Sequence, residues 1–439
     1  MEDGGLFRRN CLMRILILLV GLFHGAEARE YQYAPAPVDN PLKGFVPYVE
    51  SARNADFPCA MEFRYFALDE LMKGWGRYDW TPLEATLEEV RGRGRQLCFR
   101  VYSEYPGKGN RVPGFLEDEG VKVVRWEGDN TYEATNYTPD YESPNFRKAM
   151  KEFIAALGEK YDGDERVGFV TIGLLGSWGE WHNYPRNDLW ASKMVQGEVM
   201  DAYEEAFQKT KVLLRYPAGK NDSIYESNSE RSFGYHDDSF AWATLDTGKE
   251  EDGWYFVPKM KKAKAEDRWK RQPIGGELRP ELWESSFTSK PHPKSQDFAK
   301  CVEETHVSWL MDSGLFKAGL SQERRQNAEA AVRRMGYEIH LASAKVVDGQ
   351  LVVEFENRGV APFYYPWPVE LLVGEEKVDP GWDLMKVSSM EGYQALTELP
   401  ATWEGQPMRL RVKNPMENGR PLKFANKEQG DVWLELGEF

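Results

Sequence analysis

The sequence predicts an α/β fold in which a (β/α)8, or TIM, barrel is followed by a small antiparallel β-sandwich domain. From about residue 40, short runs of β-branched and aromatic residues alternate with amphipathic helical patterns, which is typical of a parallel sheet with crossover helices. Eight such strand–helix units fit the length of this barrel. After Gly336 the helical patterns stop and short alternating strands follow. An open doubly wound sheet is the alternative, although the sequence lacks the phosphate loops G-x-G-x-x-G and G-x-x-x-x-G-K-[ST].

The barrel strands are predicted where apolar runs rich in Val, Ile, Phe and Tyr are bounded by turn residues. They cover residues 41–48, 61–66, 96–102, 167–172, 211–217, 232–238, 272–279 and 305–310. Helices are predicted between these strands at 78–92, 143–157, 192–210, 258–270 and 295–304, and a closing helix is predicted after the eighth strand at 322–335. The polar segment 103–144 is predicted to be a long loop, and loops of that length usually have a function. The sandwich strands are predicted at 351–356, 369–373, 408–412 and 432–436.

Residues 1–28 predict a secretory signal peptide. Three arginines precede or interrupt the apolar run 11–23, and Gly25-Ala-Glu-Ala28 places small residues as in a cleavage site. The run is shorter than the roughly 20 residues that a membrane span needs. We therefore expect a secreted or periplasmic protein without a membrane span, with the barrel at 29–336 and the sandwich at 337–439.

Composition narrows the function classes. The net charge is −15 and no basic cluster stands out, so no nucleic-acid partner is expected. Signal cleavage leaves Cys59, Cys98 and Cys301, an odd number without CxxC spacing, which predicts neither a disulfide framework nor a thiolate metal site. No cofactor is predicted, and the oligomeric state stays open. Fifteen tryptophans, many near strand ends, suit a carbohydrate cleft.

The stretch Gly173-Leu-Leu-Gly-Ser-Trp-Gly-Glu-Trp-His182 is the first candidate for chemistry. It follows the fourth strand, and Glu180 stands between Trp178 and Trp181. A poorly solvated carboxylate between two indoles has a raised pKa, which suits a general acid. Sugar rings also stack on indole faces. The alternative is a glycine-rich turn packed by structural tryptophans, with Glu180 merely solvated.

Glu277 is the second candidate, because barrel enzymes place catalysis at the carboxyl ends of their strands. It closes the seventh strand, after Gly275-Gly276, as Glu180 closes the fourth. Those two strands lie nearly opposite each other, so both carboxyl groups can reach one sugar. Retaining glycosidases hold the two groups about 5–5.5 Å apart, and inverting enzymes hold them farther apart. Glu62 and Glu104 are reserve candidates.

The same strand ends offer further substrate contacts. The candidates for these contacts are Arg64, Arg100, Tyr102, Glu104, Trp178, Trp181, His182, Arg215, Tyr216, His236, Asp237, Arg279 and Trp309. The four arginines are expected to pair with barrel carboxylates, and binding of a uronic or sulfated sugar is the alternative. A metal site formed by His182, His236, Asp237 and His306 is a further alternative. It lacks H-x-H or HExxH spacing, which favours hydrogen bonds from these histidines to sugar hydroxyls.

Several motifs carry a resemblance to known families. They are Pro41-Leu-Lys-Gly-Phe45, Phe63-Arg-Tyr-Phe66, Phe99-Arg-Val-Tyr102, Glu104-Tyr-Pro106 and Gly176-Ser-Trp-Gly-Glu-Trp-His182. These motifs resemble a secreted microbial family of unknown function that pairs such a barrel with a β-sandwich tail. Acid/base after strand four and nucleophile after strand seven is similar to clan-A glycoside hydrolases.

The clan-A resemblance implies a retaining glycosidase in which Glu180 is the acid/base and Glu277 the nucleophile. It also implies that Arg64 matches the arginine beside the nucleophile. Clan A usually has Asn before the acid/base, where this chain has Gly179. We therefore expect Glu277 to be ionised beside Arg64 or Arg279, and Glu180 to be protonated in a tryptophan pocket. A non-catalytic carbohydrate-binding protein on a degenerate barrel is the alternative function.

Overall fold

The computed structural model describes residues 28–53, 55–128 and 134–439, so the predicted signal peptide, except Ala28, lies outside the described residues. Eight parallel strands form the barrel. They are β1 (Gly44–Val46), β2 (Met61–Ala67), β3 (Gln96–Tyr102), β4 (Val167–Thr171), β5 (Val212–Leu214), β6 (Gly234–Phe240), β7 (Ile274–Leu278) and β8 (Trp309–Met311). Neighbours follow chain order from β2 to β8, and β8 pairs with β1. A parallel bridge between Tyr48 and Phe63 joins the remaining edges. The predicted barrel is confirmed.

The longer helices follow the predicted apolar stripes. They are Thr81–Gly92, Pro144–Tyr161, Lys193–Ala206, Phe256–Ala263, Phe298–Thr305 and Gln322–Arg334, and the shorter ones are Val49–Ala52, Leu68–Leu71 and Gly114–Asp118. In Pro144–Tyr161 one face is buried and carries Phe146, Met150, Phe153, Ile154 and Leu157, as expected of an amphipathic helix. The helix predicted at 258–270 was placed too far along the chain. It ends at Ala263, where Lys264 takes a left-handed φ of 56°, and a separate 3-10 turn follows at Arg268–Lys270.

The segment 103–144 is not one long loop. Besides the helix Gly114–Asp118 it contains a hairpin of Val123–Glu127 and Thr135–Pro139. A second small hairpin, Met72–Gly74 with Arg77–Tyr78, follows β2. No helix in the described ranges is long and apolar enough to cross a membrane.

The predicted β-sandwich is confirmed as two antiparallel sheets of four strands each. One contains Arg29–Glu30, Ile339–Val347, Gln350–Asn357 and Tyr393–Glu398, and the other contains Glu376–Val378, Val369–Val373, Met408–Val412 and Leu434–Gly437. Arg29 and Glu30 pair with Ala344 and Ser343, so the N-terminal end of the described chain completes the C-terminal sheet. Local patterns do not indicate this pairing, because its partners lie more than 300 residues apart.

The sandwich closes one end of the barrel. Its core is continuous with the lower barrel interior, where Phe169 and Trp309 stack with ring centroids 5.6 Å apart. The Tyr365 hydroxyl donates to the Gly168 carbonyl oxygen at 2.6 Å and accepts from the Lys211 amide. These contacts lie at the amino ends of β4 and β5. The carboxyl ends, where the candidate residues were predicted, therefore face away from the sandwich.

Candidate active site

A buried ion pair lies at the carboxyl ends of β3 and β4. Arg100 Nη1 donates to Glu180 Oε1 at 2.9 Å, and the Tyr65 hydroxyl donates to the same oxygen at 3.1 Å. Arg100 also donates to the Tyr65 hydroxyl and to Thr171 Oγ1, both at 3.1 Å. The Arg100 and Glu180 side chains are only 1% and 11% exposed. The two donors to Oε1 stabilise the ionised form of Glu180.

A tight turn after β4 positions Glu180. The Glu180 amide donates to the Ser177 carbonyl oxygen, and the Ser177 amide donates to the His182 carbonyl oxygen, both at 2.9 Å. Gly179 has a φ of 69°, and a Cβ there would lie 3.2 Å from Arg100 Cδ. The Arg100 side chain therefore passes the place where the clan-A resemblance expects an Asn side chain. Glycine at 179 lets the guanidinium reach Glu180.

Glu104 anchors this turn from behind. Its carboxylate accepts from Ser177 Oγ at 2.9 Å, from Asn183 Nδ2 at 2.9 and 3.0 Å, and from the Tyr141 hydroxyl at 3.3 Å. Burial raises the pKa of Glu104 to about 7. Glu104, predicted as a substrate contact, is thus a buried support for the loop that carries Glu180.

Glu277 extends from the end of β7 into the same interior. Its side chain is buried, and beneath it Gly275 leaves room for the Trp309 ring. Burial and then the Glu180 charge raise the pKa of Glu277 well above its usual range, against the opposing charges of Arg100 and Arg279. Burial also raises the pKa of Glu180, which Arg100 opposes. The group that holds a proton most readily is therefore Glu277, the reverse of the protonation expected from the sequence.

A second buried ion pair, Arg215 with Asp238, lies beside the carboxyl pair. Arg215 Nε is 2.6 Å from Asp238 Oδ2, and the guanidinium lies 4.1 Å from the centre of the Tyr216 ring. The Tyr216 ring in turn stacks on Tyr225 at 4.5 Å. The negative charge of Asp238 raises the pKa of both Glu180 and Glu277. The site therefore contains three carboxyl groups.

Asp237 was predicted as a substrate contact, and the sequence left open whether Asp237 or its neighbour Asp238 has a further role. Asp237 points away from the mouth, the open end of the barrel at the carboxyl ends of its strands. Its Oδ2 accepts from Thr244 Oγ1 at 2.6 Å and its Oδ1 accepts from the Ser239 amide at 3.0 Å. Neighbouring strand residues point to opposite faces, so a one-residue difference exchanges their roles. Because both residues are aspartates, the sequence carries no signal that tells the two faces apart.

The same shift of face occurs in β2. Arg64 points outward, where its Nη1 donates to Thr86 Oγ1 at 2.7 Å and its Nη2 lies 3.6 Å from Glu70. The placement of Arg64 beside Glu277 is therefore corrected. Glu62 also points outward, towards Arg93 and Arg95. Tyr65, which the sequence analysis did not select, occupies the interior instead.

Two histidines line the interior in neutral form. Burial and the Arg215 charge lower the pKa of His182 to about 3, and its Nε2 lies 4.0 Å from Glu180 Oε2. Burial lowers the pKa of His236 well below its usual range. Both His236 ring nitrogens lack a hydrogen-bond partner in the described part of the chain, and the ring lies 5.5 Å from Trp309.

Possible metal ligands are Glu180, His182 and Asp238, whose ligand atoms lie within 4.8 Å of one another. This spacing would accept a small cation, but both carboxylates already pair with arginines. The metal set considered from the sequence does not assemble. Asp237 points away, and the His306 ring stacks on Trp269 at 3.7 Å.

The aromatic candidates separate into wall and core. Trp178 lies at the wall, with its ring centroid 6.3 Å from Tyr105 and 5.9 Å from His182. Tyr102 lies 5.0 Å from Tyr105 and 6.2 Å from Tyr65 by the same measure.

The predicted sugar contacts at Trp181 and Trp309 are corrected, because both rings are fully buried. Trp181 donates to the Gly173 carbonyl oxygen at 3.3 Å and packs on Trp190. Trp309 stacks on Phe169 at the end of the barrel interior next to the sandwich, which we call the barrel floor. Arg279 pairs with Glu281 at 2.8 Å and donates to Ser239 Oγ at 3.2 Å, next to the mouth.

Comparisons with known proteins give similar folds only. No protein-family model and no curated protein matches the chain. The endo-glycoceramidase II from Rhodococcus sp. is 11% identical, with 86% of this chain and 99% of that chain covered and a TM-score of 0.43. A β-glucanase from Saccharophagus degradans is 10% identical, with coverages of 70% and 92% and a TM-score of 0.35. An endoglucanase from Pseudomonas stutzeri is 10% identical, with coverages of 58% and 72% and a TM-score of 0.33.

Proposed function

We propose that this protein is a glycoside hydrolase in which Glu180 and Glu277 are the catalytic carboxyl groups. The observation that carries the proposal is a pair of buried, electrostatically coupled carboxyl groups at the ends of β4 and β7. Hydrogen bonds from Arg100 and Tyr65 favour the carboxylate form of Glu180, while burial and the Glu180 charge favour the protonated form of Glu277. A glycosidase needs one acid and one carboxylate at the scissile bond.

The chemistry follows from this pairing. The acid donates its proton to the glycosidic oxygen as the bond to the anomeric carbon breaks, and the carboxylate attacks that carbon. Water then hydrolyses the glycosyl–enzyme ester, and the first residue acts as the base. The sequence resemblance makes Glu180 the acid/base and Glu277 the nucleophile. The hydrogen bonds to Glu180 instead favour a resting protein in which Glu180 is ionised and Glu277 carries the proton. The proposal that the two residues are the catalytic pair therefore does not depend on which of them is the nucleophile.

Turnover of glycosides tests the function. Purified protein is assayed on aryl α- and β-glycosides and on oligosaccharides, next to a Glu180→Gln/Glu277→Gln double variant prepared identically. We expect release of sugar by the natural protein alone. Equal rates in both preparations would indicate a contaminating enzyme. Binding of glycan without turnover would favour the carbohydrate-binding protein instead.

We also propose that the protein is exported and that its signal peptide is cleaved near Ala28. N-terminal sequencing of the secreted protein tests this.

A further inference from the structure

The Arg215–Asp238 pair contains one buried donor, Arg215 Nη1, that has no hydrogen-bond partner among the described residues. The Arg215 side chain is only 9% exposed, so water does not readily satisfy this atom. Asp238 is 13% exposed, so a ligand in the interior can reach it. A buried donor without a partner is costly in a folded protein, and a bound ligand is one way to satisfy it.

The charges around the interior are already balanced. Arg100 pairs with Glu180, Arg215 with Asp238 and Arg279 with Glu281. Arg64, the fourth arginine predicted at a strand end, pairs with Glu70 on the outside. A uronate or a sulfated sugar would add a negative charge among Glu180, Glu277 and Asp238, where each of the three arginines just named already has a carboxylate partner. The site therefore suits an uncharged sugar.

A carboxylate next to a guanidinium matches two adjacent hydroxyl groups. The carboxylate accepts the proton of one hydroxyl, and the guanidinium donates to the oxygen of the next. Carboxylate oxygens of Asp238 and Glu180 lie within 4.8 Å of each other. The Asp238 charge also raises the pKa of both Glu180 and Glu277.

We propose that Arg215 and Asp238 bind two adjacent hydroxyl groups of a neutral glycosyl residue and thereby determine the specificity of the site. This inference rests on the proposed function, because it assumes that the site acts on a carbohydrate. It excludes uronic and sulfated sugars as the residue bound there.

Matched sugar pairs test the charge. Binding by calorimetry and turnover are measured for galacto-, gluco- and manno-oligosaccharides and for their uronic counterparts of the same linkage. We expect at least one neutral member to bind about 10-fold or more tightly than its uronate. Equal or tighter binding of the uronate overturns the inference, as does binding of no member at all.

A double-mutant cycle tests the contact. Single-hydroxyl deoxy analogues of the best neutral ligand are compared in the natural protein and in Asp238→Asn. Hydrogen bonds to charged groups predict about 10- to 100-fold weaker binding of one or two analogues by the natural protein. In Asp238→Asn we expect this penalty to shrink to less than about 3-fold. Asp237→Asn, on the same strand but directed outward, is the matched control and should keep the natural pattern.

Thermal melting checks that each variant is folded. Where Asp238→Asn does not fold, Arg215→Lys replaces it, since it keeps the charge and removes Nη1. An unchanged penalty in the folded variant overturns the inference. So does loss of neutral-sugar binding in EDTA with recovery in Ca²⁺, which would mean that Asp238 acts through a metal ion. If the penalty for the deoxy analogues shrinks in Asp238→Asn but no glycoside is cleaved, this inference stands and the proposed hydrolase activity fails. If glycosides are cleaved but the penalty does not shrink, the hydrolase activity stands and this inference fails.

Discussion

The two ends of the barrel interior use the same strands for opposite purposes. At the floor, Trp309 and Phe169 stack against each other and continue into the sandwich core. At the mouth, β3, β6 and β7 contribute Arg100, Asp238 and Glu277, all buried or nearly so. Burial at the floor stabilises the fold, whereas burial at the mouth opposes the ionisation of carboxyl groups. The floor therefore contributes to the stability of the fold, whereas the mouth carries the polar groups that chemistry needs.

The largest expected effect is at the mouth. Glu180→Gln and Glu277→Gln each remove one catalytic candidate, so we expect kcat to fall by about 1000-fold or more in each. In Glu180→Ala and Glu277→Ala, which leave room for the ion, azide should restore turnover of glycosides with good leaving groups and give a glycosyl azide. The inverted anomer identifies the variant that lacks the nucleophile, and the retained anomer identifies the variant that lacks the acid/base. Activity within 10-fold of the natural protein in both variants would contradict the pairing.

At the floor the same scale of change should appear in stability. Trp309→Ala removes a fully buried indole from the stack with Phe169, and such truncations cost about 3–5 kcal/mol. Urea denaturation measures the loss in the free energy of unfolding. A surface change, Val432→Ala, is the matched control, because this side chain is 41% exposed. Equal midpoints for the two variants would contradict the assignment of Trp309 to the floor.

The pH dependence of stability tests the buried support behind the mouth. Glu104 has a pKa of about 7 when folded, above its value in the unfolded chain. The folded protein therefore binds the proton more tightly, and stability falls as the pH rises from about 4.5 to about 7, by up to about 1.4 kcal/mol per pH unit. Glu104→Gln should make the free energy of unfolding less dependent on pH in this window. A slope unchanged by the substitution would contradict the shift.

The smallest effects come from two neighbours on β2 that face opposite ways. Tyr65→Phe removes one donor to Glu180, and we expect about a 10-fold loss of kcat/KM, since one hydrogen bond to a charged group is lost. Arg64→Ala, on the outer face, should change kcat/KM by less than about 2-fold and lower stability by under about 1 kcal/mol. The reverse order of effects on activity would mean that β2 presents Arg64 to the mouth.

The same contrast shows how far the sequence can predict this molecule. The eight strands, the long helices and the change to a sandwich follow from local apolar patterns, and Glu180 and Glu277 follow from their place at strand ends. The sequence does not show which residues of β2 and β6 point into the barrel, because polar residues occupy both faces of each strand and a shift of one residue exchanges the two faces. Arg64 was therefore chosen over Tyr65, and Asp237 over Asp238. The pairing of Arg29 with residue 344 depends on contacts that no local pattern contains.

Covalent trapping tests the central claim most directly. The protein is incubated with activated 2-deoxy-2-fluoro glycosides of the sugars it cleaves, digested, and analysed by mass spectrometry. The account predicts one added glycosyl group on the peptide that contains Glu180 or the one that contains Glu277, and no label after substitution of that residue by Gln. A label on any other carboxyl group, such as Asp238, would contradict the claim that Glu180 and Glu277 form the catalytic pair.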